Sequence, residues 1–180
     1  MELSNLNIKN GLCISLGSNI DSKFGTPINS LIESKFRIEK IISNLITLNH
    51  PNNLEKDIFN AIEKYSLNSD GTISTEFSFN KGSFEGERKV YNPRGFIKDK
   101  NTNALWGMQF IWPIKADFRV VYLSNDHSYT IIGRNKRDYV WLMSRTPSMS
   151  ESDYSDAIAF IKEIGYDVNK IAVVPQEWPE

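Results

Sequence analysis

The chain has a single cysteine, Cys13, in 180 residues, so no intrachain disulfide can form and thiolate zinc clusters are excluded. Histidine is almost as scarce. His50 and His127 fall in predicted loops with no second imidazole or thiol nearby, short of the three or four convergent ligands that a metal site needs. No apolar run approaches the roughly 18 residues that span a bilayer. Met1 to Asn10 alternate polar and apolar residues instead of pairing a charged start with an apolar stretch, so the chain as given carries no export signal. Charge of one sign is also missing: 21 Lys and Arg face 22 Asp and Glu, a net charge of −1, which offers a polyanion no attracting field and disfavours nucleic acid as a partner. The sequence has no Gly-x-Ser-x-Gly elbow, no phosphate-cradling Gly-rich loop ending in Lys-Ser/Thr, no His-Glu-x-x-His and no Cys-x-x-Cys. No catalytic residue, metal or cofactor is assigned.

What is present suits one domain with one core, since 40% of the residues are hydrophobic. Thr26 before Pro27 reads as an N-cap with Pro at the first helical position, and the spacing of Ile28, Leu31, Ile32 and Ile38 predicts a helix over 27–39. The following stretch, Ile41 to Leu48, is β-branched enough to be a strand, and periodicity does not separate the two readings. From Ile62 the apolar period shortens to two. Asp70-Gly71 supplies the positive φ of a tight hairpin, and Ile73, Thr75, Phe77 and Phe79 alternate with polar residues. Further strands are predicted at Lys89–Lys98, Ala104–Trp112, Phe118–Ser124, Tyr129–Arg134 and Tyr139–Arg145. Short strands in succession without helices predict an antiparallel meander, closed as a sandwich or a barrel to remove its edges. Ser150 then caps a helix whose stripe of Tyr154, Ala157, Ile158, Ile161 and Ile164 docks on the sheet, Gly165 stops it, and Ile171 to Val174 adds a short final strand.

The aromatic pattern favours the barrel. Ala104, Trp106, Met108, Phe110 and Trp112 alternate with Leu105, Gly107, Gln109 and Ile111, so that strand is apolar on both faces. A barrel with an apolar interior and a helix on its outer face uses both. Phe77, Phe79, Trp106, Met108, Phe110, Tyr122 and Trp141 then either line a pocket or fill an ordinary core, and the residues alone favour the core.

Longer stretches resemble a known family. Tyr65 to Ile73, Ala116 to Tyr122, Tyr129 to Gly133 and above all Tyr139-Val140-Trp141-Leu142-Met143-Ser144-Arg145-Thr146-Pro147 look like the bacterial outer-membrane lipocalins and the plant temperature-induced lipocalins. The likeness extends over residues 45 to 176. It implies an eight-stranded antiparallel up-and-down lipocalin-like barrel over residues 40–180, with the C-terminal helix packed outside and strand A at about 40–48. In the resemblance Asp117 stands in the family's Thr-Asp-Tyr signature and Arg145 at its closing arginine. The front departs from the pattern: the Gly-x-Trp motif should fall at Lys40-Ile41-Ile42 and does not. Residues 1–39 have no family counterpart and form an N-terminal extension of unassigned role, partly helical.

The resemblance implies binding, storage or transport of a small hydrophobic ligand, of the fatty-acid or lysophospholipid class, in the barrel. The seven residues read from the strand faces are then its lining, and Arg119, Arg134 or Lys115 at a barrel end are candidates to meet a headgroup, although a charge at a strand end is more often merely solvated. It also implies membrane association and a periplasmic or outer-membrane location, whereas the missing export signal reads as cytoplasmic. Two rivals stand beside it. One is an enzyme built on the same calyx with Cys13 as nucleophile, for which the local sequence offers Lys9 and no histidine as activator. The other is an interaction module that recruits a partner through the N-terminal helix.

Overall fold

Turn chemistry sets where the chain reverses. In the computed structural model, which describes residues 41–42, 46–48 and 57–177, Gly71 adopts φ 78° and Asp70 Oδ1 accepts hydrogen bonds from Thr72 N and Oγ1 at 3.0 and 2.6 Å. This turn folds β3 (Ile58–Leu67) onto β4 (Thr72–Lys81). The predicted helix over 27–39, Cys13 and the whole extension 1–39 lie outside the described residues.

Next come β5 (Glu87–Tyr91) and β6 (Arg94–Ile97), both antiparallel to β4 in one continuous register. They are one strand interrupted at Asn92-Pro93, because proline has no N–H to give the ladder. The sheet continues through β7 (Leu105–Ile111), β8 (Ile114–Leu123), β9 (Tyr129–Gly133) and β10 (Val140–Ser144), each antiparallel to the strand before it.

Closure comes from the front of the chain. β1 (Ile41–Ile42) pairs with β3, whereas β2 (Ile46–Leu48) pairs with β10 at the far end of the sheet. Ile42 and Ile46 are four residues apart and can be separated by at most about 14 Å, so the two ends of the sheet are brought together. Counting β1 with β2 and β5 with β6, eight antiparallel strands form the barrel. A ninth, β11 (Ile171–Val173), adds to β2 from outside.

The helix α1 (Glu151–Glu163) starts where Ser150 Oγ accepts from Asp153 N, and the chain turns away at Gly165 with φ 94°. The predicted stripe docks as expected. Ala157 and Ile161 are buried and Tyr154, Ile158 and Ile164 pack beside them, against Tyr129, Ile131, Val140 and Leu142 on the outer face of the sheet. Tyr166 completes this contact: its hydroxyl accepts from Arg134 N at 2.9 Å and donates to Arg134 O at 3.1 Å. A Cβ on Gly133 would stand 2.7 Å from that hydroxyl, so only glycine admits the tyrosine there.

Candidate functional site: the barrel interior

Each strand presents alternate residues to the interior, and the apolar core inside the barrel shows which ones. Ala61 and Tyr65 of β3, Ile73 and Phe79 of β4, Met108 of β7, Phe118 and Val120 of β8, Ile132 of β9 and Met143 of β10 are buried together, with Phe77, Ile97, Trp106 and Trp141 packed against them and only partly buried. Aromatic rings cross this interior in series. Trp106 stacks on Phe118 with centroids 5.2 Å apart and planes 9° apart, Phe118 lies 6.4 Å from Trp141, and Tyr139 stacks on Trp141 at 5.7 Å. Tyr65 meets Trp106 edge-on at 5.7 Å. Such pairs contribute about 0.5–1.5 kcal/mol each beyond area burial. Trp106 Nε1 also donates to Asn103 O at 2.6 Å, which holds the indole. On the neighbouring wall Phe77, Phe79 and Tyr91 pack ring on ring at 5.3 to 6.5 Å.

Five of the seven residues read as pocket lining therefore face inward: Phe77, Phe79, Trp106, Met108 and Trp141. The other two do not, for one physical reason. β8 carries a bulge between Val120 and Tyr122, and one extra residue sends every later side chain to the opposite face. Tyr122 accordingly lies outside, under α1, 5.4 Å from Tyr129 and 5.3 Å from Phe160. A second irregularity falls between Met108 and Ile111, and Phe110 beyond Met108 is 59% exposed at the tip of the β7–β8 hairpin.

The signature pair also separates. Asp117 pairs in register with Gly107, bonds Arg119 Nε at 3.0 Å and accepts from Asn135 N in the β9–β10 turn. Arg145 lies at the other end of the barrel, where its Nε donates to His127 O at 2.7 Å in the β8–β9 turn. The headgroup candidates are engaged elsewhere: Arg119 with Asp117, Arg134 with Asp138 at 3.2 Å, and Lys115 over the ring of Phe96 at 3.5 Å.

Period two does reach inward residues that the aromatic pattern left out, namely Tyr65, Phe118 and Glu63. Glu63 puts an ionisable group on this inward face, and burial pushes its carboxyl up to about 7 while a hydrogen bond from Tyr65 pulls the other way. Tyr65 Oη also lies 3.9 Å from Met143 Sδ, and burial beside Glu63 holds the phenol well above its ordinary range. No cluster of His, Cys, Asp and Glu among the described residues could hold a metal ion.

The lipocalin-like domain family matches residues 48–176, more than half of the chain. Among curated relatives, temperature-induced lipocalin-1 of Arabidopsis thaliana is 32% identical over 123 residues, covering 62% of this chain and 63% of that protein; the chain thus spans just under two thirds of that relative's length. Outer membrane lipoprotein Blc of Citrobacter freundii is 29% identical over 126 residues, 68% of each chain. Among solved structures, lobster apocrustacyanin A1 superposes with a TM-score of 0.60 at 14% identity, covering 93% of this chain and 89% of that one. Siderocalin Q83 gives 0.62 at 15%, covering 84% and 98%. At such identities the structures show the fold alone. Proteins of this family generally bind small hydrophobic ligands and are not, as a rule, enzymes. The eight-stranded closure, the helix on its outer face and the matched sequence agree: this chain belongs to the lipocalin family.

Proposed function

We propose that the barrel interior binds a small hydrophobic ligand, with fatty acids and lysophospholipids as the two classes to test. The observation that carries this reading is the inward aromatic series, of which Phe77, Trp106 and Trp141 keep part of their surface uncovered although they point into the barrel. An alkyl chain leaving water for such surroundings gains about 0.8 kcal/mol per methylene, so no covalent step is needed. The test is displacement of an environment-sensitive fatty-acid analogue by a fatty acid and by a lysophospholipid. Phe77→Asp is expected to weaken displacement at least roughly tenfold, because it sets a charge among apolar rings. Phe110→Asp, at an exposed tip, is expected to leave it unchanged. Equal binding by folded Phe77→Asp and the parent protein would overturn the site.

Membrane association and a periplasmic or outer-membrane location belong to the same proposal. Their support is the outer-membrane relatives together with the hairpin tip, where Phe110, Ile111, Trp112 and Ile114 are 59%, 72%, 82% and 68% exposed. An apolar tip with a Trp and the flanking cation of Lys115 suits a lipid interface. Trp112→Asp is expected to reduce co-sedimentation with vesicles of phosphatidylethanolamine and phosphatidylglycerol by about tenfold or more, with ligand displacement intact. Undiminished co-sedimentation would remove the tip from the membrane reading.

A further inference from the structure

Glu63 occupies a wall position that the alternation reserves for apolar side chains. Tyr65 is in the interior core, so Glu63, two residues earlier on β3, shares its face. Its register partners are Ile41 on β1 and, on β4, Phe77, which packs on the same core; the next inward pair along β3 and β4 is Tyr65 with Thr75. The residue is 7% exposed. The ion pair between β3 and β4, Lys64 with Glu76, is on the opposite face, and among the described residues no cation pairs with Glu63. The Tyr65 hydroxyl is its hydrogen-bond partner. A carboxylate has about four acceptor positions, so one phenol leaves most of its capacity to a further donor.

We propose that Glu63 selects the polar end of the ligand: it anchors the ammonium group of a long-chain amphiphile and disfavours a fatty-acid carboxylate. This rests on the reading of the interior as a hydrophobic ligand site. An ionised carboxylate in an apolar wall is strongly destabilised unless a cation or donors reach it, and an ammonium brings one charge and three donors. A fatty-acid carboxylate would bring a second negative charge to the same place. Because burial raises the Glu63 carboxyl to about 7, the preference should strengthen from pH 6 to pH 8. Among the described residues the other groups on its face do not titrate in that window, and on β1 its register partner is Ile41, which carries no titratable group. From β3 it is Tyr65, a phenol held well above its ordinary range; from β4 they are Phe77 and Thr75; from β10 it is Met143, against Tyr65.

The experiment uses the full chain and an uncharged environment-sensitive probe, with dodecylamine, dodecanol and dodecanoate as competitors at pH 6 and pH 8. Dodecylamine is expected to compete about tenfold better than dodecanol at pH 8, with a smaller margin at pH 6, and dodecanoate is expected to lose ground as pH rises. Glu63→Gln should abolish the amine preference and its pH dependence while dodecanol is unaffected. Should that variant not fold, the parent protein's pH series decides alone. Equal competition by dodecylamine and dodecanol at pH 8, or an amine preference that survives in Glu63→Gln, overturns the proposal while the hydrophobic site stands. Failure of all three competitors to displace the probe removes the site, and this proposal with it.

Discussion

Glu63→Gln is expected to stabilise the ligand-free protein by about 3 kcal/mol at pH 8 and by nothing measurable at pH 4. Burial raises the carboxyl from 4.5 to about 7 in the folded state, whereas the unfolded chain keeps the ordinary value. Between those two values the folded protein holds the proton that the unfolded chain has released. Stability therefore falls as pH rises through this window, and the penalty is complete above the folded value. Each unit of difference is worth about 1.4 kcal/mol, and two to three units give about 3 kcal/mol. Glutamine keeps the shape and the contact with Tyr65 but has no charge to desolvate. Urea denaturation of both proteins across pH 4 to 8 measures the difference, and parallel curves would show that Glu63 is not buried as a titrating acid. Linked to the ligand proposal, the same measurement with dodecylamine present should narrow the gap at pH 8, since a bound ammonium offsets the desolvation of the carboxylate.

Ile161→Ala is expected to cost about 2–4 kcal/mol, the range for truncating a fully buried aliphatic side chain. Ile161 is 0% exposed and lies where α1 meets Ile131 and Leu142, which are themselves 0% exposed. That interface consists of side chains held on a rigid sheet, so it cannot collapse into the space left behind. Ala159→Ser, on the exposed side of the same helix, should shift stability by less than about 0.5 kcal/mol. Equal effects of the two substitutions on the denaturation midpoint would mean that the helix is not docked on the barrel.

Local patterns in the chain determined much of this architecture. The period of two from Ile62 onward, the Asp70-Gly71 turn, the Ser150 cap, the stripe from Tyr154 to Ile164 and the stop at Gly165 each depend on neighbours a few residues away, and each is found in place. The run from Tyr139 to Pro147 carried the family likeness for the same reason. Alternation also places Phe77, Phe79, Trp106, Met108 and Trp141 on the inward face where they are found.

What alternation could not supply is its own interruption. The bulge between Val120 and Tyr122 and the irregularity after Met108 belong to the pairing of whole strands and leave no mark in the local pattern; past them Tyr122 lies beneath the helix and Phe110 at the exposed tip. Strand direction set Asp117 and Arg145 at opposite ends, since each is held by a different turn. Glu63 shows the same division most clearly. Its residue type reads as solvated surface, and the parity it shares with Tyr65 was legible in the chain. Only the closed sheet decided that this parity faces an apolar interior, because a carboxylate's surroundings are made by strands distant in sequence and not by its neighbours along the chain.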